Sequence, residues 1–169
     1  MKKWMLLICS SVLSGAMTTQ MVKAQDNNQD KQFLQKASQG DANEIKLSQL
    51  AERKAASPDV REFAKTMVAQ HTQLENSMKP YADQWGLVSA KDLDADHQKE
   101  YDKLSKLSGK AFDKEYIDAM DKDHHEAEDL FTSEIEATTD QDFKKAVMDG
   151  KSAVVAHTNM ADDLKTKVE

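Results

Sequence analysis

Cysteine is nearly absent. The one among 169 residues, Cys9, lies inside the apolar run from Trp4 to Met17. A lipidated cysteine ends such a run and follows a small residue, whereas Cys9 sits within it and follows Ile8. The run is about fourteen residues long, too short for a bilayer span. With Lys2 and Lys3 before it and Val22-Lys23-Ala24 after it, residues 1–24 read as a secretory signal peptide, cut after Ala24 even though Lys23 makes an imperfect cleavage box. The expected destination is the periplasm or cell envelope, with no transmembrane span in the mature chain. No cysteine remains past residue 24, which excludes disulfides, thiolate metal sites and thiol catalysis there.

Basic charge is also in short supply. The chain has 23 Lys and Arg against 30 Asp and Glu, a net charge of −7. Losing Lys2, Lys3 and Lys23 with the signal peptide takes the basic count to 20 and the net charge to −10. Such acidity speaks against a sequence-independent grip on nucleic acid or anionic lipid, both of which need basic surface. Prolines are two (Pro58 and Pro80) and glycines five, while Ala, Lys, Glu, Gln, Leu and Met are strong helix formers. There is no glycine-rich phosphate loop and no nucleophile-elbow spacing, so no motif points to an enzyme. The acidic runs 92–96 and 121–128 lack the glycine-centred loop that calcium sites require.

What is present is helical periodicity. Residues 25–31 are polar without period and read as a disordered lead-in; residues 32–169 read as one domain. A first helix is expected over 32–56, its stripe running Phe33/Leu34, Ala37, Asp41, Glu44, Leu47/Ser48, Ala51 and Ala55. Ser57-Pro58 then starts a second helix to Trp85, with Ser57 as cap and Pro58 at the first position, where its missing N–H costs nothing. A short helix is expected near 94–107, a third long one over 110–137, and a fourth, capped by Thr139 or Asp140, to about Lys165. Breaks of about three residues make helical hairpins, and a middle link of about 24 residues can cross the bundle's full length. The expected fold is all-α: a ferritin-like four-helix bundle of two antiparallel hairpins joined by a long crossover containing a short helix.

Three of the five histidines, His71, His124 and His157, fall on apolar stripes, and Glu44 takes the matching place on the first helix. His125 is turned about 100° from His124, and His97 lies among charges in the crossover, so both are expected in solvent. Glu44, His71 and His124 stand near mid-helix and His157 about one turn away, so antiparallel packing brings the four to one level of the core. Imidazole and carboxylate suit zinc, iron or copper, and bundle cores are where such sites are built. A di-iron centre needs Glu-x-x-His twice, and Val68 and Val154 occupy the acid positions. The candidate ligand set is therefore mononuclear: His71, His124, His157 and Glu44. Met67, Met120 and Met160 each lie one turn from a stripe histidine, a soft neighbourhood that favours copper. The competing reading is a metal-free polar layer in which Glu44, Asp41, Asp123, Tyr116 or Ser48 hydrogen-bond the imidazoles.

Several strings resemble a known family. They are Ala51-Glu52-Arg53-Lys54-Ala55-Ala56-Ser57-Pro58, Met67-Val68-Ala69-Gln70-His71, Leu107-Ser108-Gly109-Lys110-Ala111-Phe112-Asp113-Lys114-Glu115-Tyr116 and Met120-Asp121-Lys122-Asp123-His124. Over about residues 32–165 the chain is similar to the exported bacterial family called domain of unknown function 4142, whose members are ferritin-like four-helix proteins. The resemblance implies that fold and export. Its pattern is matched at Glu44, Met67/His71, Met120/His124 and His157. A departure is Gln70, where the family often has Asp, so a carboxylate beside the first histidine is missing here.

Overall fold

The computed structural model describes residues 15–168, with side chains from Asn28 onward. Residues 1–14 of the expected signal peptide lie outside the described residues. The described residues form five helices: α1 (Gly15–Lys54), α2 (Pro58–Trp85), α3 (Ala95–Lys106), α4 (Gly109–Ala137) and α5 (Gln141–Val168). Among the described residues there is no strand, and no helix is long and apolar enough to cross a membrane.

α1 pairs with α2 and α4 with α5 as hairpins, and the hairpins meet through α1–α4 and α2–α5. Directions follow from named contacts. Phe33 meets Phe131, Ser48 meets Tyr116 and the Ala56 N–H meets Asp113, so α1 and α4 are antiparallel. His71 lies beside His157 and Tyr81 beside Phe143, so α2 and α5 are antiparallel too. α2 and α4 are therefore parallel, and their connection must run the length of the bundle. It does so along α1, with Ala90 N–H donating to Ser38, Gln39 to the Asp92 carbonyl and Lys54 to the Ser105 carbonyl.

The helix ends follow local chemistry with one exchange of roles. Gly86 ends α2 in the left-handed conformation at φ 68°, where its N–H caps the last turn. Asp140 caps α5, accepting from the N–H groups of Asp142 and Phe143. Ser57, expected to cap α2, makes no side-chain cap bond. Asp113 of α4 instead holds the linker before α2, accepting from the N–H groups of Ala56 at 2.9 Å and Ser57 at 2.8 Å. The carboxylate accepts both linker N–H groups, one on each oxygen, and so ties the α1–α2 turn to α4. Pro80 lies inside α2 and does not stop it; the helix continues to Trp85.

The expected disordered lead-in is corrected. Residues 28–31 belong to α1, and Asp30 is buried. α4 extends to Ala137, and its far end, at Glu134, needs an antiparallel partner. Gln29 and Asp30 supply it, Gln29 donating to Glu134 at 3.5 Å.

The core falls into two apolar clusters. One gathers Leu47, Phe63, Met67, Phe112, Tyr116, Ile117, Met120 and Leu164 among others. The other gathers Phe33, Met78, Phe131, Phe143, Val147 and Val154, with Tyr81 and Trp85 against it. Each fully buried side chain of this size contributes about 1.5–3 kcal/mol, so the clusters hold the bundle together from both ends. In the second, Phe131 lies so close to α5 that a Cβ at Gly150 would stand 2.7 Å from its ring. Between the clusters every long helix turns polar: Asp41 and Glu44 on α1, His71 on α2, His124 on α4 and His157 on α5. All five are buried, and this layer is the candidate site.

Candidate metal centre

His124 fixes the geometry. Its Nδ1–H donates to the Met120 carbonyl, one turn back on α4, at 2.7 Å. A carbonyl only accepts, so Nδ1 carries the proton and Nε2 is a lone pair in the neutral ring. Burial first, and the neighbouring His71 second, hold His124 down to about 4, so the ring is neutral at ordinary pH. Its Nε2 lies 3.4 Å from His71 Nε2 and 3.3 Å from His157 Nδ1.

The other two rings are oriented in the same way. His71 Nδ1–H donates to Asp41 Oδ1 at 2.9 Å, which turns Nε2 inward. His157 Nε2–H donates to Gln70 Oε1 at 2.6 Å, which turns Nδ1 inward. Burial, then His71 and His124, hold His157 down to about 3. Burial also raises the Asp41 carboxyl, against the opposing pull of His71. The three rings pack with centroids 5.0–5.5 Å apart, and one nitrogen of each lies within 4.8 Å of the others. With the three rings neutral and their outer N–H groups so donated, the inward nitrogens are lone pairs that cannot hydrogen-bond one another and suit an electrophile. A ligating histidine that gives its other ring N–H to a carboxylate, a carbonyl or another acceptor is the usual build of a metal site.

Glu44 stands apart from that convergence. Its Oε1 is 4.0 Å from His124 Nδ1, the nitrogen already given to Met120, and it is outside the three-nitrogen group. Its Oε2 is buried without a hydrogen-bond partner. Burial, reinforced by Asp123, pushes the carboxyl well above its ordinary range. Tyr116 and Ser48 bond to each other at 2.8 Å rather than to an imidazole. Met67 and Met120 are fully buried in the apolar cluster below the layer, and Met160 packs partly buried against it.

His125 is exposed, as expected, and forms a second group with Asp121 and Asp162; the Lys165 ammonium already pairs with Asp121 there. His97 corrects the expectation of a solvent residue. It is 25% exposed at the side chain, wedged between Asp94 at 2.9 Å and Asp123 at 3.3 Å. Asp123, then Asp94 against the opposing effect of burial, raise it to about 9. Asn43 of α1 ties Asp94 in place at 2.8 Å. These residues wall a cleft of about 380 Å³ that also takes in Asp41, Glu44, His71 and His124, so the histidine layer has a way out to solvent.

The sequence could not reveal Gln70. It precedes His71 on α2, and its role depends on which helix packs alongside. With α5 there, its amide takes the place of the carboxylate missing from this position, but serves His157 rather than His71.

The same architecture occurs in solved structures at low identity. A DUF305 protein of Streptomyces coelicolor superposes with a TM-score of 0.71 at 18% identity, over 83% of this chain and 92% of that one. A DUF305 fragment from Deinococcus radiodurans gives 0.72 at 15%, over 82% and 96%. CopM in its Cu(II)-bound form gives 0.70 at 18%, over 83% and 97%. No curated protein sequence matches the chain. The family model for the domain of unknown function DUF4142 matches residues 15–164, and the chain belongs to that family.

Proposed function

We propose that the protein is an exported metal-binding protein of the cell envelope, which holds one transition metal through His71 Nε2, His124 Nε2 and His157 Nδ1. The observation that carries this reading is the set of committed outer nitrogens. Asp41, the Met120 carbonyl and Gln70 each accept one ring N–H, which leaves three lone pairs aimed inward with no donor among them. A hydrogen-bonded polar layer without metal would alternate donors and acceptors; this one presents acceptors only.

Among zinc, iron and copper, we favour Cu(II). Three imidazoles suit it, and affinities at nitrogen sites peak at Cu(II) in the divalent series. The structural neighbour CopM is described in a Cu(II)-bound form, which lends weight to the same choice. Glu44, the fourth expected ligand, stands at the Nδ1 edge of His124 and does not join the three nitrogens. Burial keeps His124 and His157 neutral, so the metal need not displace protons from those two rings at neutral pH. Export rests on the apolar leader 1–24.

Equilibrium titration of metal-free protein with Cu(II), Zn(II) and Fe(II) tests the proposal. One tight Cu(II) per chain is expected, with affinity reduced at least about 100-fold in His124→Ala, a larger loss than removing a group that only hydrogen-bonds a ligand gives. Absence of tight binding, or equal binding by the variant, would leave the metal-free polar layer as the better account.

A further inference from the structure

Gly40 has no local reason to be a glycine. It lies inside α1, and among the described residues only Gly86 and Gly109 take a positive φ. Glycine weakens a helix interior relative to alanine. Packing explains Gly150, where a Cβ would strike the Phe131 ring, but at Gly40 a Cβ would meet nothing within 4 Å. The space beside it is the cleft. Lys36, Gly40 and Glu44 follow at four-residue steps on one face of α1, and all three line it together with Asp123 and Ala127 of α4.

His71 and His124 line the same cleft, although they are only 5% and 1% exposed. Elsewhere the described residues close the histidine layer. Apolar clusters lie on either side of it along the bundle, where a hydrated ion does not pass. His157 is fully buried, its outer nitrogen held by Gln70. The cleft's volume of about 380 Å³ is many times the about 30 Å³ of one water, and its lining residues Lys36 and Glu126 are exposed. Leaving out the buried Glu44, its walls carry Asp41, Asp94, Asp123 and Glu126 against Lys36 and His97. That excess of acid favours a cation over an anion. Given the three-nitrogen site, on which this rests, we propose that the cleft is the path by which the metal reaches and leaves the histidines, and that Gly40 keeps it open. The three rings then set how tightly the metal is held, and the cleft walls set how fast it exchanges.

Rates test this where affinities do not. Loading is followed by stopped flow as Cu(II) passes from a chromophoric chelator to metal-free protein, and release as loaded protein meets excess EDTA. Gly40→Leu fills the path without touching a ligand. Both of its rates are expected to fall at least about tenfold, while their ratio and the equilibrium affinity stay within about twofold of the parent's. Gly40→Ala adds only a methyl to open space, so it should resist denaturant better than the parent and slow both rates by a smaller factor. A fall in both rates with side-chain size at position 40 is the expected signature. Gly40→Leu loading and releasing Cu(II) as fast as the parent, or changing affinity through release alone, overturns the path and leaves the three-nitrogen site in place. A parent protein that takes up no Cu(II) removes that site, and the path with it.

Discussion

At mid-bundle, three imidazoles are buried with each outer ring nitrogen bonded to a neighbour and the inner nitrogens turned toward one another. At the end of the bundle, Asp30 and Glu134 are buried together, 4% and 2% exposed, and each keeps an oxygen without a donor. Both regions put polar groups where apolar ones would pack more cheaply. They differ in what relieves them. The histidine layer excludes protons and asks for a metal, whereas the carboxyl pair can be relieved by one shared proton. Burial first, and then the Asp30 carboxyl, raise Glu134 to about 7. Burial alone therefore does not distinguish a binding site from a structural contact; the supply of donors does.

The comparison predicts opposite responses to pH in the metal-free protein. His124 and His157 take up protons more readily when unfolded, so the stability tied to them is present above their unfolded value near 6.5 and is lost as pH falls through about 4 and about 3. Glu134 holds its proton more tightly when folded. Its contribution is present below 4.5 and is lost as pH rises through about 7. At about 1.4 kcal/mol per pH unit, Glu134 and each of the two histidines shift stability by roughly 3–5 kcal/mol. Glu134→Gln supplies a permanent donor to Asp30, so chemical denaturation should show it more stable than the parent at pH 8 and similar at pH 4.5. A flat difference across pH would break the contrast.

A smaller effect should come from Gln70→Leu. It removes the acceptor from His157 Nε2–H and frees the ring to present the wrong nitrogen. The expected loss of Cu(II) affinity is about 10–100-fold, with helical content unchanged. If affinity does not move, His157 is held by packing rather than by its hydrogen bond.

Much of this molecule was legible before any coordinates. The apolar stripes gave the four long helices, the short breaks gave the hairpins, and the long link gave the crossover. His71, His124 and His157 faced inward because helical spacing alone decides that. What escaped depended on partners distant in sequence. Asp113 holds the α1–α2 turn from more than fifty residues away, and nothing local to Ser57 announces it. His97 reads as a surface residue among charges until α3 lies against α1 and α4, where two of those charges become its partners. Glu44 shares the level of the histidines but sits on the wrong edge of His124, a matter of a few ångströms that residue spacing cannot resolve. The lead-in 25–31 looked unstructured because its stabilising contact, with Glu134, is a polar one.

The most direct test of the account is EPR of protein loaded with one equivalent of Cu(II). Three inward imidazole nitrogens predict an axial spectrum with superhyperfine splitting from three nitrogens, lost in His124→Ala. An aqua-like or carboxylate-dominated spectrum, or one that survives His124→Ala unchanged, would contradict the claim that these three rings form a metal site.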